Sequence, residues 1–523
     1  MILNFIFFFI ITTLSFFSIV GYGNLIINFH SKNKFLNNSI YFFLGLVFLN
    51  IIGVFLYYLN LDYKLLNLII LLSGLFFFKK TFNKKLVFHY LILNLILFSC
   101  ILISKLHEDW SYHFGFIEQI TNHEPIIGIG NAEDIHVLST SFFSFVQKLF
   151  VLPYYNFSFV FVPSYLIFFT IVSVLVNLII KEKKNIVLVL IMIFSLLVIK
   201  MSRLSEFGYD YLSNFILIYL VIFFILLKSK FIKIENSSLY ILILFLFSVS
   251  IKISSILFFP IFLYMFIDEF KKKKLLLDKK LVILSCIFLL FFILENFLRS
   301  GCFIYFIGST CFDKNLVSWS IDYQRVTEHS LHVELWAKGF YHQDLFSDKD
   351  YYLKFLNWFP NWIKIHFFYK VFEFLIIPIL FILFIIFFKM EMNFNKNSIL
   401  FFLVSLISVL IWLFILPQLR FGIGIIITFT ISIACMFFNL NKVLNINKKH
   451  IMLFIIACFV IFNVKNINRI KNELTRTDSH KYTNFPFPPK NRLKSIIINE
   501  GETKYFLVKN KKFKKKLWFH IVY

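Results

Sequence analysis

Apolar runs recur along this chain from its first residues to about position 464, and no other feature limits its folding as strongly. They fall at 3–20, 39–58, 64–78, 86–104, 157–180, 186–200, 211–227, 237–250, 254–267, 280–297, 366–389, 398–416, 421–438 and 451–464. A hydrocarbon core of about 30 Å takes about 20 apolar residues to cross as a helix. Inside it, every backbone N–H and C=O must be satisfied by the segment itself or its neighbours. The pattern predicts an all-α polytopic transmembrane helical bundle of about thirteen or fourteen spans, several of them short for one crossing. Composition agrees, with 59% of residues hydrophobic against about 45–50% apolar in soluble domains.

The formal net charge is +25, which in a soluble protein would point to nucleic acid. Here Lys and Arg gather in short turns between spans, where cytoplasmic loops concentrate them. The abundance of Phe, Ile, Asn and Lys also fits an AT-biased genome, so no nucleic-acid partner is expected. The start, "MILNFIFFFIITTLSFFSIVGYG", has no basic residue ahead of its apolar part and reads as a first span rather than a removed leader.

Cytoplasmic turns are marked by Lys79, Lys80, Lys84 and Lys85, by Lys181 to Lys184, by Lys228 to Lys233, and by Lys271 to Lys280. Alternation then puts 105–135, 201–210, 298–365 and the turn Pro417 to Arg420 on the outer face. The strongly basic 465–523 falls on that side by parity. The stretch 237–267 is too long for one helix and splits at Lys252. The segment 138–152 mixes Ser, Thr, Gln and Lys with aromatics, which suits an interfacial or re-entrant helix. The domain organisation expected is N-terminal spans 1–104, a core 105–297 with an acidic outer loop 105–135, a partly helical outer subdomain 298–365, C-terminal spans 366–464, and a basic tail 465–523.

Chemistry concentrates in "HEDWSYHFGF", directly behind the run 86–104. Glu108 and Asp109 lie at the mouth of a span, where partial desolvation raises a carboxyl toward the range of a useful general base. For either residue alone, a solvated loop carboxylate is the plainer account. The segment "MSRLSEFGYD" sets Arg203 beside Glu206 and Asp210. Lys252, Arg299 and Arg420 fall near the same predicted surface. Singly, such cations snorkel to headgroups; beside carboxylates they suit a site that clamps a lipid-linked phosphate and deprotonates a hydroxyl. The stretch Gly128-Ile129-Gly130-Asn131 allows a sharp turn and matches no P-loop.

The order of "EDWSYHFGF…IIGIGNAEDIHVLSTSFF", "SRLSEFGYD", "SVSIKISS", "NFLRSGCFIYF…STCF…SW" and "PQLRFGIG" over about residues 105–425 resembles the GT-C superfamily of polytopic glycosyltransferases, and a bacterial membrane-protein branch grouped with them. That resemblance implies a GT-C-like fold in a bacterial cytoplasmic membrane, with its site facing the periplasm. It implies a polyprenyl-phosphate-linked sugar as donor and a glycan, lipid or protein as acceptor. Its catalytic acidic residue falls on Asp109 or Glu108, a second acidic position on Glu206 or Asp210, and lipid-phosphate contacts on Lys252 and Arg420. Arg203 and Arg299 join the phosphate-binding candidates, and Tyr112, His113 and Trp319 the sugar or acceptor contacts. The acidic loop follows about four spans, whereas most members of the superfamily carry it after the first. A flippase or transporter for a lipid-linked oligosaccharide, or a polysaccharide polymerase, remain the alternatives.

Two histidine groups, His107, His113, His123 and His136 with nearby carboxylates, and His329 and His332 with Glu334, lack the spacing of a zinc site. No metal ligand is assigned and no cofactor is certain, although a divalent ion is used by some transferases resembling this superfamily. Trp358 and Trp362 precede a span and are expected to anchor at the interface. Cys302 and Cys311, nine residues apart in the outer loop, are expected to form a disulfide.

Overall fold

The computed structural model describes residues 2–27, 33–61, 63–79, 82–102, 110–131, 141–153, 157–204, 208–232, 234, 236–271, 278–305, 307–340, 349–387, 395–437, 439–443, 447–475, 497–500, 503–506, 513–516 and 519–522. Helices α1 (Ile2–Ile26), α2 (Lys34–Tyr58), α3 (Lys64–Phe78) and α4 (Lys84–Leu97) precede α5 (Trp110–Asn122) and the short strand β1 (Ile126–Ile127). Then come α6 (Ser144–Val151), α7 (Val162–Lys181), α8 (Ile186–Ser195), α9 (Gly208–Lys228), α10 (Ser237–Ile251), α11 (Phe259–Lys271) and α12 (Lys279–Ser300). The following segment holds α13 (Tyr323–Ala337), α14 (Lys349–Leu353) and α15 (Phe359–Trp362). The last helices are α16 (Phe372–Phe387), α17 (Lys396–Ile415), α18 (Leu419–Phe437) and α19 (Lys448–Thr475).

Among the described residues, eleven helices are long and apolar enough to cross a membrane, and 64–78, 186–200 and 237–251 are shorter apolar helices. The chain is a multi-pass helical membrane protein. Among the described residues, two π-helical segments interrupt the regular winding. Leu196–Lys200 ends α8, and Ile363–Val371 joins α15 to α16 in one continuous helix over 359–387. Such segments are rare and collect at functional sites.

Helices α1, α2 and α3 approach closely because glycines line their contacts. A Cβ built on Gly21 would fall 1.8 Å from the Gly74 carbonyl oxygen, so only hydrogen fits there. Small residues at helix contacts are the usual means of close packing in a bilayer. Helix α2 is tied to α9 by a 2.6 Å hydrogen bond between the Ser39 and Tyr219 hydroxyls.

Several expectations are refined. The stretch 138–152 was open between an interfacial and a re-entrant helix; every residue of α6 is buried, against α2, α5 and α7, so it does not lie at the surface. Gln147 pays for its place there by donating to the Val160 carbonyl at 3.0 Å. The break at Lys252 is present: α10 ends there and a 3-10 turn, Ile253–Phe258, leads into α11. The last span is longer than hydropathy implies. Helix α19 continues to Thr475, carrying Lys465 and Arg469, whose charge ended the apolar run at 464.

Trp358 and Trp362 are not interface anchors, because both are buried. The Trp362 indole N–H donates to the Pro417 carbonyl at 2.5 Å, and the Lys338 ammonium lies 5.2 Å from the Trp358 ring centroid. The region read as a basic tail contributes strands β2 (Ile497–Glu500), β3 (Thr503–Phe506), β4 (Phe513–Lys516) and β5 (Phe519–Val522). β2 and β3 form one antiparallel pair. β5 pairs with β4 antiparallel and with β1 parallel, tying the C-terminal segment to the segment behind α5.

Candidate functional site

Asp210 stands in the first turn of α9, where a carboxylate suits the positive end of the helix dipole. Lys252 follows the last residue of α10, where a cation suits the negative end. Arg420 lies in the first turn of α18, where the dipole opposes it. Asp210 offsets that cost. Its Oδ1 is 3.3 Å from the Lys252 ammonium and its Oδ2 is 3.4 Å from Arg420 Nη1. The three side chains are 5%, 16% and 19% exposed, so the triad is largely withdrawn from water.

Asn214, one turn along α9, locks this junction. Its amide nitrogen donates to the Asp210 and Arg420 carbonyls at 2.6 and 2.8 Å, and its amide oxygen accepts from Gly424 N–H at 2.7 Å. The glycines of "RFGIG" serve the same packing. A Cβ on Gly422 would meet the Trp412 ring at 2.4 Å, and one on Gly424 would meet the Asn214 amide oxygen at 3.1 Å.

In front of Arg420 opens a cavity of about 330 Å³. Lys200, Arg203, Lys370, Arg420 and Lys465 line it, with Glu373 as the one carboxylate among the described lining residues. Tyr211, Trp336, Tyr369 and Phe374 supply aromatic wall. The Arg420 guanidinium lies 4.2 Å from the Trp336 ring centroid, within cation–π range. Trp336 comes from α13, so the segment after α12 covers this cavity. Lys200 and Lys370 both ride the π-helical segments.

Helix α19 braces the far wall. Lys465 donates to the Ile199 carbonyl at 2.7 Å and Arg469 to the Ser202 carbonyl at 3.3 Å, satisfying groups left over where α8 unwinds. Lys200 pairs with Glu373 at 2.6 Å. The opposite end of the bundle is marked by the Lys228–Asp268 ion pair at 2.5 Å.

Of the residues singled out in the sequence, Asp210, Lys252 and Arg420 are brought together, and Arg203 lines the same cavity as Arg420. Arg299 is not among the lining residues. It is buried, 3.4 Å from Glu295 and bonded to the Asn296 side chain at 2.9 Å. His113 is buried with its ring 4.4 Å from that of Tyr209, which removes it as an exposed acceptor contact. Trp319 does not reach the cavity either. Its N–H donates to the Phe297 carbonyl at 3.1 Å and its ring packs on Phe297. Tyr112 lies on α5, its side chain outside what is described. Glu108, Asp109 and Glu206 lie outside the described residues.

Cys302 and Cys311 are joined as a disulfide, with Cα atoms 3.8 Å apart. The Gly128 to Asn131 stretch is a clamp on this region: Gly128 N–H donates to the Leu298 carbonyl at 2.8 Å and Asn131 donates to the Trp319 carbonyl at 2.7 Å. No group of three His, Cys, Asp or Glu placed to hold a metal ion occurs among the described residues; His107, Glu108, Asp109, Asp134 and His136 lie outside them.

A family model described as "Domain of unknown function (DUF8201)" matches residues 5–427. The chain belongs to the DUF8201 family. No curated protein matches it, and no solved structure does. The DUF8201 span contains Lys200, Arg203, Asp210, Lys252, Lys370 and Arg420, whereas Lys465 and Arg469 follow it.

Sequence reasoning missed Lys200, Lys370, Glu373 and Lys465 as site residues. One signal was available. Lys370 and Glu373 fall inside the apolar run 366–389, and ionisable groups within spans are rare and commonly functional.

Proposed function

We propose that this DUF8201 protein is a membrane glycosyltransferase that moves a sugar from a polyprenyl-phosphate donor to a glycan, lipid or protein acceptor. The carrying observation is the cavity beside Arg420, whose described lining residues include five cations and one carboxylate at one end of an apolar bundle. Arg and Lys side chains gathered on one cavity suit an anionic phosphate group. A phosphate head supplies that anion, and the surrounding apolar helices suit its prenyl chain. In this reading the site faces the periplasm across a bacterial cytoplasmic membrane. The Cys302–Cys311 bond supports that side, since disulfides persist in oxidising compartments.

In the transfer, an acceptor hydroxyl oxygen attacks the anomeric carbon and the bond to the phosphate oxygen breaks. The electron pair stays with the phosphate, and the hydroxyl proton goes to a carboxylate. Asp210 is a poor choice for that base, because its two carboxyl oxygens are engaged by Lys252 and Arg420. It positions Arg420 instead. The base is assigned to Asp109 or Glu108, preceding α5. The contact of His113 with Tyr209, the neighbour of Asp210, supports that assignment by bringing α5 against this junction.

The test is transfer by purified protein in nanodiscs with radiolabelled polyprenyl-phosphate sugars. Asp109→Asn or Glu108→Gln should abolish product while the protein remains folded, and Arg420→Gln should weaken donor binding at least tenfold. Full transfer by both carboxylate variants would remove the assigned base. A transporter is the second reading, favoured by the helix break at Lys252, since interrupted helices build transport sites. It would show as movement of labelled lipid across proteoliposomes without covalent product.

A further inference from the structure

We infer that the loop closed by the Cys302–Cys311 bond is a lipid-binding element, which seats Phe303 and Ile307 among phospholipids where hydrocarbon meets headgroups. The partner is the bilayer itself, and the contact is independent of what the cavity beside Arg420 binds.

Helix α12 sets the place. Its Ile283, Ile287, Leu290 and Leu294 are exposed, and spacings of three and four residues put them along one face of the helix. On a span this apolar, an exposed face of that kind meets lipid. The next position on the stripe is Phe297. The rings of Phe303, Phe312 and Trp319 pack on it, with centroids 6.2, 5.6 and 5.6 Å away. The loop therefore caps the lipid-facing stripe instead of turning away from it. The 22 residues of α12 rise about 33 Å, close to a hydrocarbon thickness of about 30 Å, so a cap on its Ser300 end lies at headgroup level. Indoles collect at that depth, and the Trp319 N–H donates to the Phe297 carbonyl at 3.1 Å.

The loop is also built to leave water. Backbone groups that enter a bilayer must be satisfied within the protein. Phe303 N–H donates to the Thr310 carbonyl at 3.2 Å, Ile307 N–H to the Ile304 carbonyl at 2.9 Å, and Thr310 N–H to the Ile307 carbonyl at 2.9 Å. The Thr310 hydroxyl donates to the Ile304 carbonyl at 2.8 Å and accepts from Ile304 N–H at 3.1 Å. Cys302, Ile321 and Val326 form a small core of their own, closed by the disulfide. Phe303 and Ile307 take no part in it and stay 46% and 39% exposed. Single exposed apolar residues are ordinary on a protein surface. Here they continue a stripe that already faces lipid.

The contact reaches the cavity through α13. A Cβ on Gly308 would fall 2.6 Å from the Tyr323 ring, so the loop packs on the first residue of that helix. Near its other end, Trp336 lies against the Arg420 guanidinium. Phospholipid held at the loop thus steadies the helix that covers the cavity.

The test replaces Phe303, Ile307, Leu290 and Glu328, one at a time, with photoreactive benzoylphenylalanine in the full-length protein in phosphatidylcholine proteoliposomes. Phosphatidylcholine adducts are measured by mass spectrometry after illumination. Leu290 gives the yield of a lipid-facing span, and Glu328, an exposed polar position of α13, that of polar surface. Phe303 and Ile307 should each exceed Glu328 at least fivefold. Ile307 keeps the test decisive where a change at Phe303 disturbs the packing on Phe297. Where Leu290 is labelled, a smaller excess at Ile307 would overturn the lipid contact, whatever Phe303 gives. Crosslinks joining two chains in place of lipid adducts would also overturn it and assign the loop to a contact between copies of this protein.

Discussion

Arg420 places Nη1 3.4 Å from Oδ2 of Asp210, joining the first turns of α18 and α9 across a largely buried contact. Neither helix start would tolerate its partner's loss equally. Asp210 is favoured by its own helix dipole, whereas Arg420 is opposed by its own and depends on the carboxylate.

Asp210→Asn should therefore destabilise the protein more than an exposed pair would suggest. Removing one partner of a buried ion pair costs about 3–5 kcal/mol, because the remaining charge is left uncompensated. Thermal unfolding in detergent should show the loss, and Arg420→Gln in the same chain should recover part of it. Strict additivity of the two substitutions would contradict the coupling.

Gly422→Ala tests the packing behind the site. Its Cβ would lie 2.4 Å from the Trp412 ring, which is itself held by a 2.9 Å bond from its N–H to the Gln418 carbonyl. Overpacking of this kind costs about 1–3 kcal/mol. A lowered unfolding midpoint is expected, together with weaker anion binding as Arg420 shifts; an unchanged midpoint would show that the ring moves freely.

Glu118 on α5 gives a pH dependence. Burial raises its carboxyl above the ordinary value, and its Oε2 has no hydrogen-bond partner among the described residues. A raised acid binds its proton more tightly in the folded state than in the unfolded state. Its contribution is thus complete below the unfolded carboxylate pKa and is lost as pH rises through the higher folded value. Glu118→Gln should flatten the stability profile above the ordinary carboxylate range and raise stability at neutral pH. A profile identical to that of the parent protein would reject the effect.

Breaking the Cys302–Cys311 bond should loosen the segment that precedes α13. Closing so short a loop is worth about 2–3 kcal/mol in the chain-entropy account. Cys302→Ser with Cys311→Ser should speed hydrogen exchange over 301–322 while the buried helices α7 and α9 stay protected. In intact cells these thiols should resist labelling until a reductant is added from outside; labelling from the cytoplasmic side without reductant would reverse the orientation.

Much of the helical architecture was legible because it is locally encoded. Each run must satisfy its own backbone in hydrocarbon, so fourteen apolar segments could be read without knowing how they pack. The break at Lys252 was legible for the same reason, since a charge midway through a long apolar stretch has no place in one straight span. Helix α19 was underestimated because hydropathy registers the charge of Lys465 and Arg469 but not the carbonyls of Ile199 and Ser202 that receive them.

Local pattern alone makes this chain a multi-pass helical bundle and marks Asp210, Lys252, Arg203 and Arg420 as charges near helix ends. Which of those charges meet depends on how the helices pack. A lysine at the end of an apolar run reads the same whether it snorkels to a headgroup or turns into a cavity. The difference lies in how each helix is rotated against its neighbours. Lys200, Lys370 and Lys465 share one cavity because α8 unwinds, the helix 359–387 carries a π-helical segment, and α19 runs past its apolar stretch. Arg299, which looked equivalent in sequence, turns inward to Glu295. Helix packing sets those rotations through contacts between residues far apart in the chain, and no local pattern records them.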